Sequence, residues 1–145
     1  MADNLALLAP AAILALWTLI MLLWTAATRF PAMSKLGMSA STARAGGRGQ
    51  DLDGVLPPEV QWKSHNYTHL LEQPTLFYAI VLILFVGGGT TALTVGLAWA
   101  YTALRVVHSI WQATINTIPV RFSIFVASTV VLLVLTVMAV ILTLA

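Results

Sequence analysis

Apolar and polar positions divide the chain into four long apolar segments separated by polar connections. The apolar segments cover about residues 5–28, 59–86, 91–113 and 119–144. About 20 consecutive apolar residues are enough for a helix to cross the hydrocarbon core of a bilayer. The pattern therefore predicts an all-α integral membrane protein, in which residues 1–145 form a single domain, a bundle of four transmembrane helices.

Proline and glycine mark the ends of the predicted helices. Pro58 and Glu59 suit the first turn of helix 2. Three glycines at positions 87–89 end that helix, and Pro119 opens helix 4. The one long connection, residues 29–58, is rich in glycine and basic residues. A connection of this length inside a compact domain is often functional.

Composition agrees with a membrane protein and excludes several kinds of site. The chain is 59% hydrophobic and 8% charged, with a mean hydropathy of +0.91, whereas soluble domains carry about 25% charged residues. The chain has no cysteine, which excludes disulfides, cysteine nucleophiles and thiolate-ligated metals. The net charge is only +2, so we expect no nucleic-acid partner.

The basic residues predict the orientation of the helices in the membrane. All seven Lys and Arg lie at or near the long connection and the turn between helices 3 and 4. The positive-inside rule then places residues 29–58 in a cytoplasmic loop. With four spans, both the N-terminus and the C-terminus lie on the extracytoplasmic side.

A polar face at the start of helix 2 is the main candidate for function. His65, His69 and Glu72 follow one another at i, i+4 and i+7, so they share one face of the helix. A carboxylate beside a membrane span is costly unless it faces protein or water, and it commonly marks a functional site.

Helices 3 and 4 carry the other ionisable candidates. Arg105 and His108 share a face of helix 3. Arg105 needs an anion, and we expect it to meet Glu72 in the bundle core, as a structural pair, a functional one or both. Arg121, in the first turn of helix 4, fits either an arginine that reaches back to the interface or an anion site at the helix N-terminus.

A metal site is an alternative interpretation of the same face. His65 and His69, with Glu72 and His108, offer nitrogen and oxygen ligands. The sequence contains no His-Glu-x-x-His motif, and the contact between helices 2 and 3 is assumed. We therefore predict no metal and keep metal binding as the lesser alternative.

Three strings of residues, in this order and spacing, resemble one family of membrane proteins. They are His69-Leu70-Leu71-Glu72-Gln73-Pro74-Thr75-Leu76-Phe77-Tyr78, Arg105-Val106-Val107-His108 and Pro119-Val120-Arg121. The resemblance is to the MAPEG family, the membrane-associated proteins of eicosanoid and glutathione metabolism. It covers about residues 5–144 and is nearest to the uncharacterised bacterial branch, which implies a bacterial inner (cytoplasmic) membrane.

The resemblance implies a fold, an assembly and an activity. Family members are four-helix bundles that form homotrimers, with glutathione between subunits near the cytoplasmic side. It implies that Arg121 is catalytic, because a cation stabilises the glutathione thiolate, and that the other four candidates bind glutathione. These four are His69, Glu72, Arg105 and His108. The implied activity is that of a glutathione S-transferase or peroxidase acting on lipophilic electrophiles.

The chain also departs from the family pattern at the implied site. Family members usually carry Asn at the position of His69, and the glutathione-using enzymes of eicosanoid metabolism carry a tyrosine at that of Gln112 and a hydroxyl at that of Phe125. The arginines that precede the site are replaced by His65 and Thr68. These departures favour a second hypothesis, a non-catalytic protein that binds lipid or serves as an accessory subunit of a larger membrane complex.

Overall fold

Four long helices make up the fold. The computed structural model describes residues 5–39 and 41–145, and within them the helices are α1 (Leu8–Lys35), α2 (Pro58–Val86), α3 (Ala92–Thr114) and α4 (Ile118–Leu144). A single turn of 3-10 helix, Gly49–Leu52, lies in the connection between α1 and α2. These residues contain no β-strand, which confirms the all-α prediction.

Helix α1 continues to Lys35, whereas the sequence predicted its end near residue 28. Pro31 lies inside the helix and removes only one backbone hydrogen bond. The helix ends in a Schellman motif around Gly37, whose φ of 70° is left-handed. There the N–H of Met38 donates to the carbonyl oxygen of Met33 over 3.0 Å. The predicted loop of residues 29–58 therefore begins as helix.

The other three helices have bounds that differ by one residue at most from those predicted. Pro58 occupies the first turn of α2, and Gly88, with φ of 77°, closes that helix in a second Schellman turn. Thr91 caps α3, because its hydroxyl accepts the Thr94 N–H while the Thr94 hydroxyl accepts the N–H of Thr91.

Polar contacts set the register of the helices. The Trp17 indole N–H of α1 donates to the Ser109 hydroxyl of α3 over 2.9 Å, and the Asn66 amide of α2 donates to the same hydroxyl over 2.6 Å. About two turns earlier along both helices, the Thr102 hydroxyl of α3 donates to the Pro10 carbonyl oxygen of α1. Helix α3 thus runs parallel to α1 and antiparallel to α2, at the centre of the bundle.

The described helices bury polar side chains and expose apolar ones. Helix α3 shows this best, since its inward face is polar and Leu93, Trp99, Val107 and Ile110 of its outward face are exposed. The buried polar side chains of α3 are Thr94, Thr102, Arg105, His108, Ser109 and Gln112. An apolar exterior around an interior that holds both polar and apolar side chains suits a lipid environment.

Three of the four helices are long and apolar enough to cross a membrane by themselves. They are α1, α2 and α4. Helix α3 is not among them, because its sequence includes the polar residues that it buries against its neighbours. The structure therefore supports an integral membrane protein with three long apolar helices and a fourth helix of mixed character.

Candidate functional site

A cavity of about 680 Å³ opens where α2 and α4 begin and α3 ends. Helix α2 lines it with five polar side chains between Ser64 and Glu72, and α3 adds His108 and Gln112. The 3-10 turn and the residues around it form one wall. Helix α4 lines the remaining side with Ile118, Arg121, Phe122 and Phe125. Four of the five predicted site residues therefore meet in one cavity, and Arg105 is the exception.

His69 and Glu72 form a hydrogen-bonded pair on the cavity wall. The His69 Nδ1 and the Glu72 Oε2 atoms lie 2.9 Å apart. The His69 ring packs between two other rings, with centroid distances of 5.1 Å to His108 and 5.5 Å to Phe125. The His69 side chain is 25% exposed, whereas that of Glu72 is 61% exposed. The imidazole is thus fixed, and the carboxylate reaches it from the open side.

Arg105 is fully buried and donates a hydrogen bond to the backbone of α2 instead of to a carboxylate. Its Nη2 donates to the carbonyl oxygen of His69 over 3.2 Å, in the helical turn that precedes Pro74. Its Nε and Nη1 have no hydrogen-bond partner among the described residues. The guanidinium carbon lies 6.0 Å from the centroid of the Phe125 ring. Arg105 therefore fixes the backbone at His69 from behind the cavity.

The predicted ion pair between Glu72 and Arg105 is wrong for the described chain. Residues 5–39 and 41–145 contain two ion pairs with distances of 4.0 Å or less, His65–Asp53 and His69–Glu72. Arg105 belongs to neither of them. Glu72 lies three residues after His69 on the same helix, so the nearby imidazole satisfies the carboxylate locally. The Glu72 side chain faces outward, while Arg105 approaches α2 from its buried side.

Arg121 is oriented by the turn between α3 and α4. Its Nη1 donates to the Asn116 Oδ1 atom over 2.6 Å. Asn116 has a φ of 57°, a left-handed conformation that asparagine tolerates better than most residues. Arg121 lines the cavity together with Phe122 and Phe125 of the same helix. This position at the start of α4 agrees with the sequence-based expectation of a cation at the site.

Sequence reasoning missed the part of the cavity that the loop provides. Asp53 lines the cavity, and its carboxylate lies 2.9 Å from the Nε2 atom of His65. The Gln61 amide donates to the Leu52 carbonyl oxygen. These contacts join residues 9 and 12 positions apart along the chain. No periodic pattern marks such contacts, and only the glycine-rich composition of the loop signals them.

Arg29, at the predicted end of helix 1, was also missed as a residue that supports the cavity wall. Its Nη1 donates to the Ser64 hydroxyl over 3.2 Å, and its Nη2 donates to the Gly49 carbonyl oxygen. Both Ser64 and Gly49 line the cavity. Arg29 therefore ties the 3-10 turn to α2. The sequence signal for this role was that Arg29 is the first basic residue after the first apolar segment.

Two buried polar atoms in the cavity wall lack partners within the described residues. They are the Nδ1 atom of His108 and the Oε1 atom of Gln112, in side chains that are almost fully buried. Buried polar atoms in folded proteins are nearly always hydrogen-bonded to protein, water or ligand. Both residues line the cavity, but the two atoms themselves lie beneath its surface, so a ligand reaches them only when the side chains turn toward the cavity.

The metal alternative has no ligand set in the described part of the chain. There, no group of three His, Asp or Glu side chains is close enough to hold one ion. His65 and His69 each bond a different carboxylate, Asp53 and Glu72. The two pairs are separate, so the face that the sequence offered as a metal site is divided between two hydrogen bonds.

Comparison with known proteins gives one match. Searches of curated proteins and of solved structures found no similar protein. The family model of the MAPEG family matches residues 7–141, a span that contains every residue lining the cavity and nearly the whole length of the four helices. This agrees with the resemblance carried by the three strings of residues, and the chain belongs to the MAPEG family.

Proposed function

We propose that the protein is a glutathione-dependent transferase that joins the glutathione thiol to a lipophilic electrophile. Membership of the MAPEG family allows this activity. The observation that carries the proposal is the cavity, whose lining residues include Arg121, His108 and Gln112, the last two each with a buried polar atom that lacks a partner among the described residues. A cation and two unsatisfied polar atoms suit a polar, anionic ligand that brings its own donors and acceptors.

The size and chemistry of the cavity fit glutathione in part. A volume of about 680 Å³ is within the range of roughly 300–1,000 Å³ typical of small-molecule sites. Arg121 is the one Lys or Arg side chain among the described lining residues, whereas glutathione carries two carboxylates and a thiol. We assign Arg121 to the thiol and the buried ends of His108 and Gln112 to the peptide groups.

Arg121 and the apolar wall have different tasks in this proposal. Bound glutathione supplies a nucleophilic sulfur, and a guanidinium beside it favours the thiolate over the thiol. Ile118, Phe122 and Phe125 form the apolar side of the cavity. They suit an apolar electrophile that arrives from the bilayer, since burying its surface is favourable.

The same proposal includes a topology and an assembly. We place all four helices across a bacterial inner membrane, with both termini extracytoplasmic and the cavity at the cytoplasmic side, as the basic residues predict. We place three copies in a homotrimer. Its support is family membership and the exposed carboxylate of Glu72 in the middle of α2, a group that should not face lipid.

The second candidate is a non-catalytic bundle that binds lipid or serves as an accessory subunit in a larger membrane complex. It is favoured by two lining residues, Gln112 and Phe125. A glutamine and a phenylalanine cannot supply the acidic hydroxyls that the sequence comparison leads us to expect there. A cavity of the same size then holds a ligand without turning it over.

Calorimetry on the protein purified in mild detergent separates the two candidates. We expect glutathione to bind, native mass spectrometry to show it on a trimer, and turnover to follow with an electron-poor alkene. The Ser123→Ala variant is a control, because Ser123 is exposed on α4 and does not line the cavity. Binding without turnover would favour the accessory subunit. The absence of binding would reject the transferase.

A further inference from the structure

His69 differs from the other two histidines of the cavity in how its ring nitrogens are used. Its Nδ1 atom bonds the Glu72 carboxylate. Its Nε2 atom makes no hydrogen bond with any described residue, and it is not among the buried unpartnered atoms. The Nε2 atom is therefore accessible, in a side chain that lines the cavity. In His65 the carboxylate partner takes Nε2 instead, and no carboxylate orients His108.

The Glu72 carboxylate determines which nitrogen of His69 carries the proton. An ionised carboxylate only accepts hydrogen bonds. The proton of the neutral imidazole must then lie on Nδ1, which leaves a lone pair on Nε2. A carboxylate that fixes the tautomer of an imidazole in this way is the arrangement by which histidine serves as a general base in hydrolases.

The position of the His69 ring is fixed from three directions. The His108 and Phe125 rings pack on it from α3 and α4, and Arg105 holds the carbonyl oxygen of His69 itself. The aromatic contacts thus position the His69 ring, Arg105 positions its backbone, and Glu72 determines its tautomer. A catalytic group needs such support, because small errors in its position cost much of its effect.

We propose that His69 is the general base that removes the proton from the thiol, and that Glu72 is the positioning residue that orients it. This inference rests on the proposed transferase function and deepens it. Arg121 stabilises a thiolate but cannot accept its proton, because a guanidinium stays charged. The thiol proton must therefore pass to water or to another side chain, and His69 offers a free lone pair in the same cavity.

The proposed step balances for addition to an electron-poor alkene. The thiol proton moves to Nε2 of His69, and the sulfur forms a bond to the β-carbon as the π bond of the alkene breaks. The α-carbon, which receives the electron pair, then takes the proton from Nε2. No oxidant or further reactant is consumed, and His69 ends in its starting state.

The His69→Asn variant tests the base directly. Asparagine keeps a polar side chain of similar reach but has no basic nitrogen. General-base catalysis contributes about 10²–10⁴-fold to a rate, so we expect kcat to fall about 100-fold or more. We expect the dissociation constant of glutathione, measured by calorimetry on the same sample, to change by less than about threefold, because binding does not need the base.

Two further measurements separate a base from a merely structural histidine. Turnover by His69→Asn should recover as the pH approaches the thiol range near about 8.5, where the thiolate forms without help. Free imidazole should restore part of the turnover of His69→Ala. Other charged or titratable side chains lie near the His69 ring or its cavity and also influence the pH profile: Glu72, His65, His108, Arg105 and Arg121. The wild type is therefore titrated in parallel.

Glu72→Gln tests the orienting role. The glutamine amide can donate to Nδ1 as well as accept from it, so the tautomer that leaves a lone pair on Nε2 is no longer enforced. We expect kcat to fall at least about tenfold with little change in KM. A Glu72→Gln enzyme with wild-type kcat would overturn the role of Glu72.

The outcomes distinguish this inference from the function on which it rests. If wild type turns over and His69→Asn keeps its kcat and pH profile, the base is wrong and the transferase stands. If His69→Asn loses turnover that neither high pH nor, for His69→Ala, imidazole restores, His69 is structural and the inference is again overturned. A wild type that neither binds nor conjugates glutathione would overturn both proposals.

Discussion

The two arginines beside the cavity differ in burial and in what they contact. Arg105 is fully buried on α3 and gives one of its N–H groups to the backbone of α2. Arg121 is only partly buried, lines the cavity and is held by the Asn116 side chain of the α3–α4 turn. An arginine side chain thus holds the backbone of a neighbouring helix at position 105 and is a cation that lines the cavity at position 121. If burial were the only criterion, the buried Arg105 would be the stronger functional candidate, whereas the cavity makes Arg121 the stronger one.

Replacing Arg121 should produce the largest functional effect. Losing one charged group that stabilises a developing anion typically costs about 10²–10³-fold in kcat, and we expect a loss of this size for Arg121→Ala in the conjugation assay. The melting temperature should change little, since only one partly exposed contact is lost. Arg121→Lys is the matched control and should keep part of the activity because it keeps the charge. An Arg121→Ala protein that unfolds would contradict this division between the two arginines.

Replacing Arg105 should affect stability less than breaking a buried ion pair, which costs about 3–5 kcal/mol. Arg105→Met loses one hydrogen bond to a charged donor, worth about 1.5–3 kcal/mol. It also removes an unpaired charge whose burial costs about 2.5–3.5 kcal/mol on insertion scales. These effects oppose each other, so we expect the free energy of unfolding in detergent to change by less than about 2 kcal/mol. A loss near the ion-pair value would mean that Arg105 has an anionic partner in the assembled protein.

The smallest expected effect is the coupling between Glu72 and Arg105. Because the two side chains form no ion pair in the described chain and share only the partner His69, the coupling between Glu72→Gln and Arg105→Met should lie at the low end for neighbouring residues, about 0.5 kcal/mol. The measurement is a double-mutant cycle of unfolding free energies. A coupling well above that value would restore the ion pair that the sequence led us to expect, with the trimer as the place where it forms.

Local signals in the sequence were enough to place three of the helices. Pro58, Thr91 and Pro119 act within one turn of a helix start, so neighbouring residues alone determine where these helices begin. The end of α1 was placed too early because Arg29 and the basic, glycine-rich residues after it suggested a loop. The helix instead continues through Pro31 to Lys35.

The sequence identified most residues of the candidate site but not the contacts between them. The helical spacing of His69 and Glu72 correctly placed both on one face of α2, and it also contained the contact that the prediction overlooked, the hydrogen bond between them. The wall contributed by Asp53 was not predictable, because it depends on how a glycine-rich loop folds back on α2. Periodicity describes one helix at a time and does not describe the path of such a loop.

The inward polar face of α3 has a consequence for how the protein is made. A helix with a buried arginine enters a bilayer less readily alone than with partners that accept its polar groups. The partners that α3 has in the structure, the Trp17 indole, the Asn66 amide and the carbonyl oxygens of Pro10 and His69, all belong to α1 and α2. Both helices leave the ribosome before α3. In the proposed topology, the order of synthesis therefore supplies these hydrogen-bonded groups of α3 with their partners before α3 enters the membrane.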